Sequence, residues 1–191
     1  MRIGIDISQT AYARTGVANL LKQLVVHLLK EDTENSYVLF FSSLRGKIDK
    51  GIIEAVKNNP RTRIHNAKIP PTVLDILWNR LHVLPIEQLI GDVDVFISSD
   101  WTQPPTRHAI PVTIIYDLIV YKYPEETHNK TRFSFSSLLL SPNIVAVQKR
   151  RLEWVKKECQ KILCISASTK LDCQNILGLD EKKLTVVYPG V

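Results

Sequence analysis

The chain has 191 residues, of which 45% are hydrophobic and 23% are charged, and its formal net charge is +6. This composition suits one globular domain with its own core and argues against a disordered chain. No stretch reaches about 18 uncharged apolar residues, and the N-terminus lacks a signal-peptide pattern, so the sequence predicts a cytoplasmic protein without a transmembrane helix. The positive charge favours anionic partners such as nucleotide phosphates, acidic lipids or nucleic acid.

Short apolar runs of strand length recur along the chain and alternate with longer segments of helical character. Most of the short runs are continuous rather than alternating, which is typical of parallel strands covered on both faces. The seven predicted strands are Arg2–Ser8, Tyr37–Ser42, Thr62–Ala67, Val93–Ser98, Val112–Tyr116, Lys161–Ile165 and Leu184–Tyr188.

The segments between these runs show helical periodicity, with apolar residues at i, i+3 and i+4. The predicted helices are Gly16–Lys30, Ile48–Asn58, Val73–Ile90, Ile144–Cys159 and Thr169–Leu177. Pro85 should kink or split the third of them, Ser166 or Ser168 should cap the last, and Gly178 should end it. The alternation predicts an α/β fold: a doubly wound, mostly parallel, Rossmann-like sheet of about seven strands with helices on both faces.

Ligands bind to such sheets beyond the carboxyl ends of the strands. Four loops lie there: SQTAYARTG, SDWTQPPTRH, YDLIVYKYPEE and ISAS. In the first, Thr15 and Gly16 stand at a helix N-terminus and could present backbone N–H groups to an anion, although a loop that needs small residues explains Gly16 equally well. Neither G-x-G-x-x-G nor Gly-Lys-Ser/Thr occurs, which argues against a dehydrogenase and a P-loop NTPase.

The fifth predicted strand brings Tyr116 and Asp117 to the same end of the sheet. Asp117 needs a hydrogen-bond partner there, and it either caps the following turn or contacts a substrate. Tyr116 either packs as an aromatic side chain or contacts a ligand. Because it ends a strand on the ligand side, we expect Tyr116 to line a cleft rather than the core.

The chain offers no clear metal site. Its five histidines show no H-E-x-x-H spacing, and Cys159, Cys164 and Cys173 lack C-x-x-C spacing and a nearby histidine. We therefore expect reduced, structural thiols and no zinc.

A basic segment, QKRRLEWVKKECQK, falls at the end of the fourth predicted helix. Its cations are Lys149, Arg150, Arg151, Lys156 and Lys157. They form either the solvated face of a packed helix or a surface drawn to acidic lipids. The second alternative predicts peripheral contact with an anionic membrane at its inner face.

Several segments of the sequence, taken in order, resemble the N-terminal domain of the family 4 (group 1) glycosyltransferases. They are TGVANLLKQLVVHLL, LWNRLHVLPIEQLIGDVDVFISSD, PVTIIYDLIVYKYPEE, ILCISASTKLDCQNILGLDEKKLTVV and YPGV, and together they extend over nearly the whole chain. The resemblance is closest to the mannosyl- and rhamnosyltransferase-like members, in which a Trp-containing helix, a Pro and an Asp-Val-Phe strand follow one another. Here these are Trp78, Pro85 and Asp94–Phe96.

The resemblance implies the acceptor-side half of a GT-B fold, in which two Rossmann-like domains face each other. Residues 1–188 would form this domain, and residues 189–191 would begin the linker to a donor-binding domain. The implied reaction is retaining transfer of a sugar from a nucleotide-sugar to a glycan, lipid or other acceptor. It requires no metal or other cofactor and no nucleic-acid partner, and the chain alone is expected to be inactive.

The resemblance also implies which residues act. Tyr116 and Asp117 would lie at the catalytic centre, and Thr15, Gly16 and Ser166 would contact substrate. Two positions depart from the family pattern, because Ala18 replaces a second glycine and Tyr116 replaces a histidine that contacts the donor sugar. A tyrosine keeps a hydroxyl but cannot become an imidazolium. The alternative function is therefore a stand-alone Rossmann-like binding module without catalysis.

Overall fold

The computed structural model describes residues 1–12, 15–123 and 144–189. Seven parallel strands form one sheet in the order β3-β2-β1-β4-β5-β6-β7. Their bounds are Arg2–Asp6 (β1), Ser36–Phe41 (β2), Thr62–Asn66 (β3), Val95–Ser98 (β4), Ile110–Ile115 (β5), Lys161–Cys164 (β6) and Leu184–Val186 (β7). All seven predicted strands are present, and the predicted Rossmann-like sheet is confirmed.

Helices connect the strands. The α-helices in the described ranges are Gly16–Glu31 (α1), Lys50–Lys57 (α2), Pro71–Leu74 (α3), Glu87–Ile90 (α4), Ile119–Lys122 (α5), Ile144–Glu158 (α6) and Ala167–Leu177 (α7). Short 3₁₀ turns occur at Ser8–Ala11 and Glu181–Lys183. Parts of the predicted loops at residues 13–14 and 124–126, and residues 190–191 of the predicted linker, lie outside the described residues.

One predicted helix, Val73–Ile90, is broken into pieces. After α3 the chain forms a π-helical turn, Asp75–Arg80, in which the N–H of Leu81 donates to the carbonyl of Ile76 at 2.9 Å. Positive φ angles at His82 (52°) and Leu84 (66°) then end the helical path before Pro85. The prediction of a split at Pro85 is correct, but the break begins several residues earlier than the proline alone required.

Both faces of the sheet are buried, because alternate residues of β2 point to different helices. Tyr37, Leu39 and Phe41 belong to a core cluster that includes residues of α1 and α2. Val38 and Phe40 belong to a second cluster with Trp78 and residues of α4. A third cluster lies under α6 and α7. This two-sided burial explains why the strands read as continuous apolar runs.

The strand order places β1 in the interior, with β2 and β3 on one side and β4 to β7 on the other. The connection that follows β1 therefore leaves in the opposite direction from the one that follows β4. This is the topological switch point at which doubly wound sheets leave a crevice for a ligand. The predicted ligand-side loops after β1 and β4 flank that crevice.

A buried carboxylate, Glu87, fastens the loop between β4 and β5. Its Oε1 accepts hydrogen bonds from three consecutive backbone N–H groups, those of residues 107, 108 and 109, at 2.8, 3.0 and 3.1 Å. Burial alone would raise the pKa of Glu87, but these donors outweigh it and hold the pKa below its ordinary value. The loop that borders the crevice is thus held from beneath by a charged acceptor.

We expect Glu87→Gln to lower the free energy of unfolding by about 1–3 kcal/mol at pH 7, because an amide oxygen is a weaker acceptor for three N–H donors. Since the folded-state pKa is lowered, the stabilisation is complete above the ordinary value of 4.5 and is lost as the pH falls through the folded-state pKa. Urea denaturation at several pH values measures the difference. The exposed Glu54→Gln change is the control, and an equal loss in both variants would contradict the anchoring role.

Candidate functional site

A pocket opens at the carboxyl ends of β1 and β2, beside the switch point; we call it the switch-point pocket. Its lining includes Asp6, Ser8, Gln9 and Tyr12 from β1 and the turn after it, and Trp101 and Thr102 from the loop after β4. The segment after β2 and the start of α3 complete the wall. By residue type the lining is mainly polar and aromatic, although most of the surface that it presents is apolar, and none of these described lining residues is a lysine, arginine or histidine.

The indole N–H of Trp101 differs from those of the other two tryptophans. The indole N–H groups of Trp78 and Trp154 donate to the carbonyls of Leu84 and Asn79 at 2.9 and 3.0 Å. The indole N–H of Trp101 is buried and has no partner among the described residues. A buried donor without an acceptor is costly, and Ser99 Oγ and Gln103 Nε2 of the same loop are likewise buried without a partner in the described ranges.

A buried polar network holds the loop that carries Trp101. Ser98 Oγ lies 2.6 Å from Gln103 Oε1 and 2.8 Å from Thr113 Oγ1. The backbone N–H of Gln103 donates to Asn79 Oδ1 at 3.0 Å. The loop after β4 is therefore tied both to β5 and to the π-helical turn, which makes one wall of the pocket a fixed surface.

An arginine lies beneath this crevice. Arg151, on α6, is 1% exposed and donates to Thr113 Oγ1 at 2.5 Å and to the carbonyl of Ile114 at 3.2 Å. Its Nη1 is 3.7 Å from Asp100 Oδ1. A buried guanidinium is tolerated only with such partners. The side chain of Arg151 therefore holds α6 in this position.

Two carboxyl groups, Asp6 and Asp100, lie close enough to Arg151 to feel its charge, and Asp6 also lines the switch-point pocket. Burial raises the pKa of Asp6, while hydrogen bonds from Ser8 and the charge of Arg151 oppose the rise. Burial also raises the pKa of Asp100 to about 6, again against the effect of Arg151, and the charge of Asp117 adds to the rise. The side chain of Asp100 remains 28% exposed, so it can exchange protons with solvent.

The two predicted residues at the start of α1 have a local structural role. Thr15 is the N-cap of α1: its Oγ1 accepts from the N–H of Ala18 at 3.2 Å and donates to the carbonyl of Tyr12 at 3.1 Å. Gly16 is exposed, and a Cβ added there would meet no described atom within 4 Å. Close packing within the described part of the chain therefore does not explain the glycine.

Tyr116 differs from expectation, because its ring is 5% exposed and belongs to the core cluster under α1 rather than to an open cleft. The cause is its position at the end of β5, an interior strand covered by helices. Its hydroxyl has no partner in the described ranges. Burial, with a contribution from the charge of Asp100, raises the pKa of Tyr116, and Arg151 opposes this.

The other two predicted residues lie nearby. Asp117 is exposed, and its Oδ1 accepts from the N–H of Ile119 at 3.0 Å, so it caps the turn after β5. Ser166 caps α7 by accepting from the N–H of Thr169 at 3.0 Å, and Thr169 Oγ1 donates to the carbonyl of Tyr116 at 3.1 Å. The ends of β5 and β6 are thereby joined, which brings Tyr116, Asp117 and Ser166 into one region.

The basic segment makes contacts within the fold. Arg151 is buried as described above, and Arg150 pairs with Asp75 at 3.0 Å. Lys149 and Lys157 lie over the rings of Tyr121 and Trp154, and Lys156 lies 4.0 Å from Glu153. These contacts favour the packed-helix interpretation, and contact with an anionic membrane stays a prediction.

The sequence did not single out Asp6, Asp100 or Trp101, and it named Arg151 only as one of the cations of the basic segment. Asp100 and Trp101 carry the signal that was used for Tyr116, namely polar or aromatic residues directly after a buried strand. Arg151 has no such signal, because a cation within a basic run looks like a surface residue. Only its neighbours on β5 show that it is buried.

The raised pKa of Asp100 predicts how stability depends on pH. A carboxyl whose folded-state pKa is raised stabilises the fold below its ordinary value of 3.8, and this contribution is lost as the pH rises through about 6. An asparagine at this position cannot titrate, so the variant Asp100→Asn escapes this loss. Between pH 4 and pH 7 its free energy of unfolding should therefore rise by about 1–3 kcal/mol relative to that of the wild type. Urea denaturation from pH 4 to 8 measures this, with the exposed Asp92→Asn as control. Parallel pH curves for the wild type and Asp100→Asn would show that Asp100 titrates normally.

The described residues hold no group of three or more His, Cys, Asp or Glu side chains that could bind a metal ion. None of the helices in these ranges is long and apolar enough to span a bilayer. No protein-family model matches the sequence, and a comparison with curated proteins gives no match.

Proposed function

We propose that this chain is the acceptor-side domain of a retaining glycosyltransferase, which transfers a sugar from a nucleotide-sugar donor to a glycan, lipid or other acceptor. The observation that supports it is the switch-point pocket, a polar and aromatic pocket at the carboxyl end of a doubly wound parallel sheet. Sheets of this kind bind their ligands at this place. The resemblance to family 4 enzymes supplies the reaction class.

The pocket's chemistry suits a ligand rich in hydroxyl groups. A sugar hydroxyl both donates and accepts hydrogen bonds, so it can accept from the indole N–H of Trp101 and donate to the carboxylate of Asp6. The exposed ring of Tyr12 and the side chains of Ser8 and Gln9 add further polar and aromatic contacts. The described lining offers no cation to a phosphate, so this pocket fits the sugar acceptor better than the nucleotide of the donor.

In the proposed reaction, the chain's contribution is to position the acceptor. Holding two reactants in near-attack geometry supplies roughly 7–11 kcal/mol of a barrier. The loop fastened by Glu87 and the buried network around Ser98 give the pocket the rigidity that such positioning needs. Of the two residues that the resemblance assigns to catalysis, Asp117 is exposed at the end of β5 and is the one able to meet a substrate. Tyr116 acts at most through its neighbours.

One observation favours the alternative, a stand-alone binding module without catalysis. The position where family members have a histidine that contacts the donor sugar is Tyr116, and that side chain is buried. A buried phenol cannot contact a donor sugar in the cleft without a rearrangement of the core. Binding of saccharides by this chain, in a gene that encodes no donor-binding domain after it, would support the module.

Titration of the isotope-labelled chain with neutral saccharides, observed by NMR, tests the proposed function. We expect mannose- or rhamnose-containing oligosaccharides to shift the indole N–H signal of Trp101 and to leave those of Trp78 and Trp154 in place. UDP- and GDP-sugars should neither bind tightly nor be turned over by this chain, because one wall of a cleft cannot hold donor and acceptor together. Micromolar binding of a sugar nucleotide, or release of UDP or GDP, would overturn the placement of the donor site outside this domain.

The variant Trp101→Phe tests the pocket directly. It removes the unpartnered N–H and keeps an aromatic ring, so we expect saccharide affinity to fall about three- to tenfold while the melting temperature changes little. Trp154→Phe is the matched control: it breaks an existing hydrogen bond to Asn79 and should lower stability, with a smaller effect on saccharide affinity than Trp101→Phe. If Trp101→Phe instead lowered the melting temperature and left saccharide affinity unchanged, Trp101 would have a purely structural role.

A further inference from the structure

His82 joins two parts of the chain that are 76 residues apart. Its ring is stacked on Trp154, with centroids 3.6 Å apart and planes inclined by 6°. Its Nδ1 lies 2.7 Å from the carbonyl oxygen of Trp78, and its Nε2 lies 2.7 Å from Glu158 Oε1. The side chain is 10% exposed. The imidazole thus attaches the residues after the π-helical turn to the C-terminal half of α6, next to the hydrogen bond from Trp154 to the carbonyl of Asn79.

The two polar contacts of this ring define its protonation. A carbonyl oxygen accepts hydrogen bonds and cannot donate one, and an ionised carboxylate does the same. Each ring nitrogen of His82 therefore has to carry a proton to make its contact. A neutral imidazole has one N–H and can keep only one of the two bonds. The face of Trp154 is a further favourable site for a cation.

We propose that His82 is a pH-sensitive clamp, in which the two N–H contacts of a singly charged imidazolium hold α6 against residues 75–84 and loss of one ring proton loosens them. An ordinary imidazole changes charge near pH 6.5, between the conditions of different cellular compartments. The clamp is complete at low pH and weakens as the pH rises. This inference does not depend on the proposed function.

The earlier part of α6 is held by other contacts. Arg151 donates to Thr113 and Ile114 beneath the crevice, and Gln148 Nε2 donates to the carbonyl of Asp100 at 2.6 Å. These contacts do not involve His82, so the clamp acts on the later part of the helix, around Trp154 and Glu158.

The charges around the ring limit how far α6 can move. On the segment that carries His82, Asp75 pairs with Arg80 at 3.0 Å, and on α6 Arg150 pairs with the same carboxylate at 3.0 Å. Lys157 lies 4.6 Å from the centroid of the Trp154 ring. Glu158 is the carboxylate that contacts the ring, at 2.7 Å. The pair between Asp75 and Arg150 holds the middle of α6 without the imidazole, so the expected change is a loosening of the end of α6 near Glu158.

NMR of the full chain with ¹⁵N-labelled histidine, from pH 5.5 to 8.5, tests the clamp. We expect both ring nitrogens of His82 to carry protons at pH 6. As one of them is lost at higher pH, amide exchange in residues 152–158, corrected for the intrinsic effect of pH, should accelerate roughly five- to tenfold. A neutral ring at pH 6 would overturn the proposal, and so would loss of the proton without any change in the exchange of α6.

The variant Glu158→Gln tests the same idea without touching the histidine. Its amide oxygen still accepts a hydrogen bond, but the charge that favours the imidazolium is gone, so the change in α6 exchange should move to lower pH. Glu153→Gln on the same helix is the matched control, because Glu153 is 55% exposed and pairs with Lys156 at 4.0 Å, and it should leave the wild-type profile unchanged. Identical profiles for the two variants would contradict the clamp.

Discussion

The guanidinium of Arg151 is the interaction on which the ligand side of this fold depends. A buried cation is stable only where acceptors surround it, and breaking a buried pair by removing one partner costs about 3–5 kcal/mol. Thr113 and Ile114 provide those acceptors from β5, and Asp100 provides a carboxylate from the loop after β4. One side chain thus fixes α6, an interior strand and a wall of the crevice relative to one another, and the raised pKa values of Asp6 and Asp100 follow from the same burial.

The fold could be predicted from the sequence because its signals are local. Continuous apolar runs mark parallel strands, and each of the seven lies within a few residues of its predicted place. Gly178 ends α7 as predicted, and of the two predicted caps, Ser166 and Ser168, the structure uses Ser166, since capping depends on one side chain and one φ angle. The break within Val73–Ile90 was predicted only in part. Pro85 is visible in the sequence, whereas the π-helical turn and the positive φ angles of His82 and Leu84 depend on contacts with α6.

The location of the candidate site could be predicted from the sequence, but the side chains that form it could not. The loops after β1 and β4 follow from strand polarity alone. Which side chains point into the crevice depends on packing across the sheet, and here the expectations differ from the structure. Tyr116 is directed into the core under α1, and Arg151 is drawn under β5 from a run of cations that resembles a solvent-exposed face. Trp101 stands out only when the partners of all three indole groups are known.

The position of β1 also has a kinetic consequence. β1 begins at Arg2 and occupies the interior of the sheet, between β2 and β4. β4 starts next to Asp94, whose carboxylate accepts from the N–H of Arg2 across a separation of 92 residues. During synthesis β1 can pair with β2 early, but its other edge has no partner until β4 has left the ribosome. A long loop closure of this kind slows folding and prolongs the exposure of an unpaired strand edge, which is the hazard that open parallel sheets carry until they are complete.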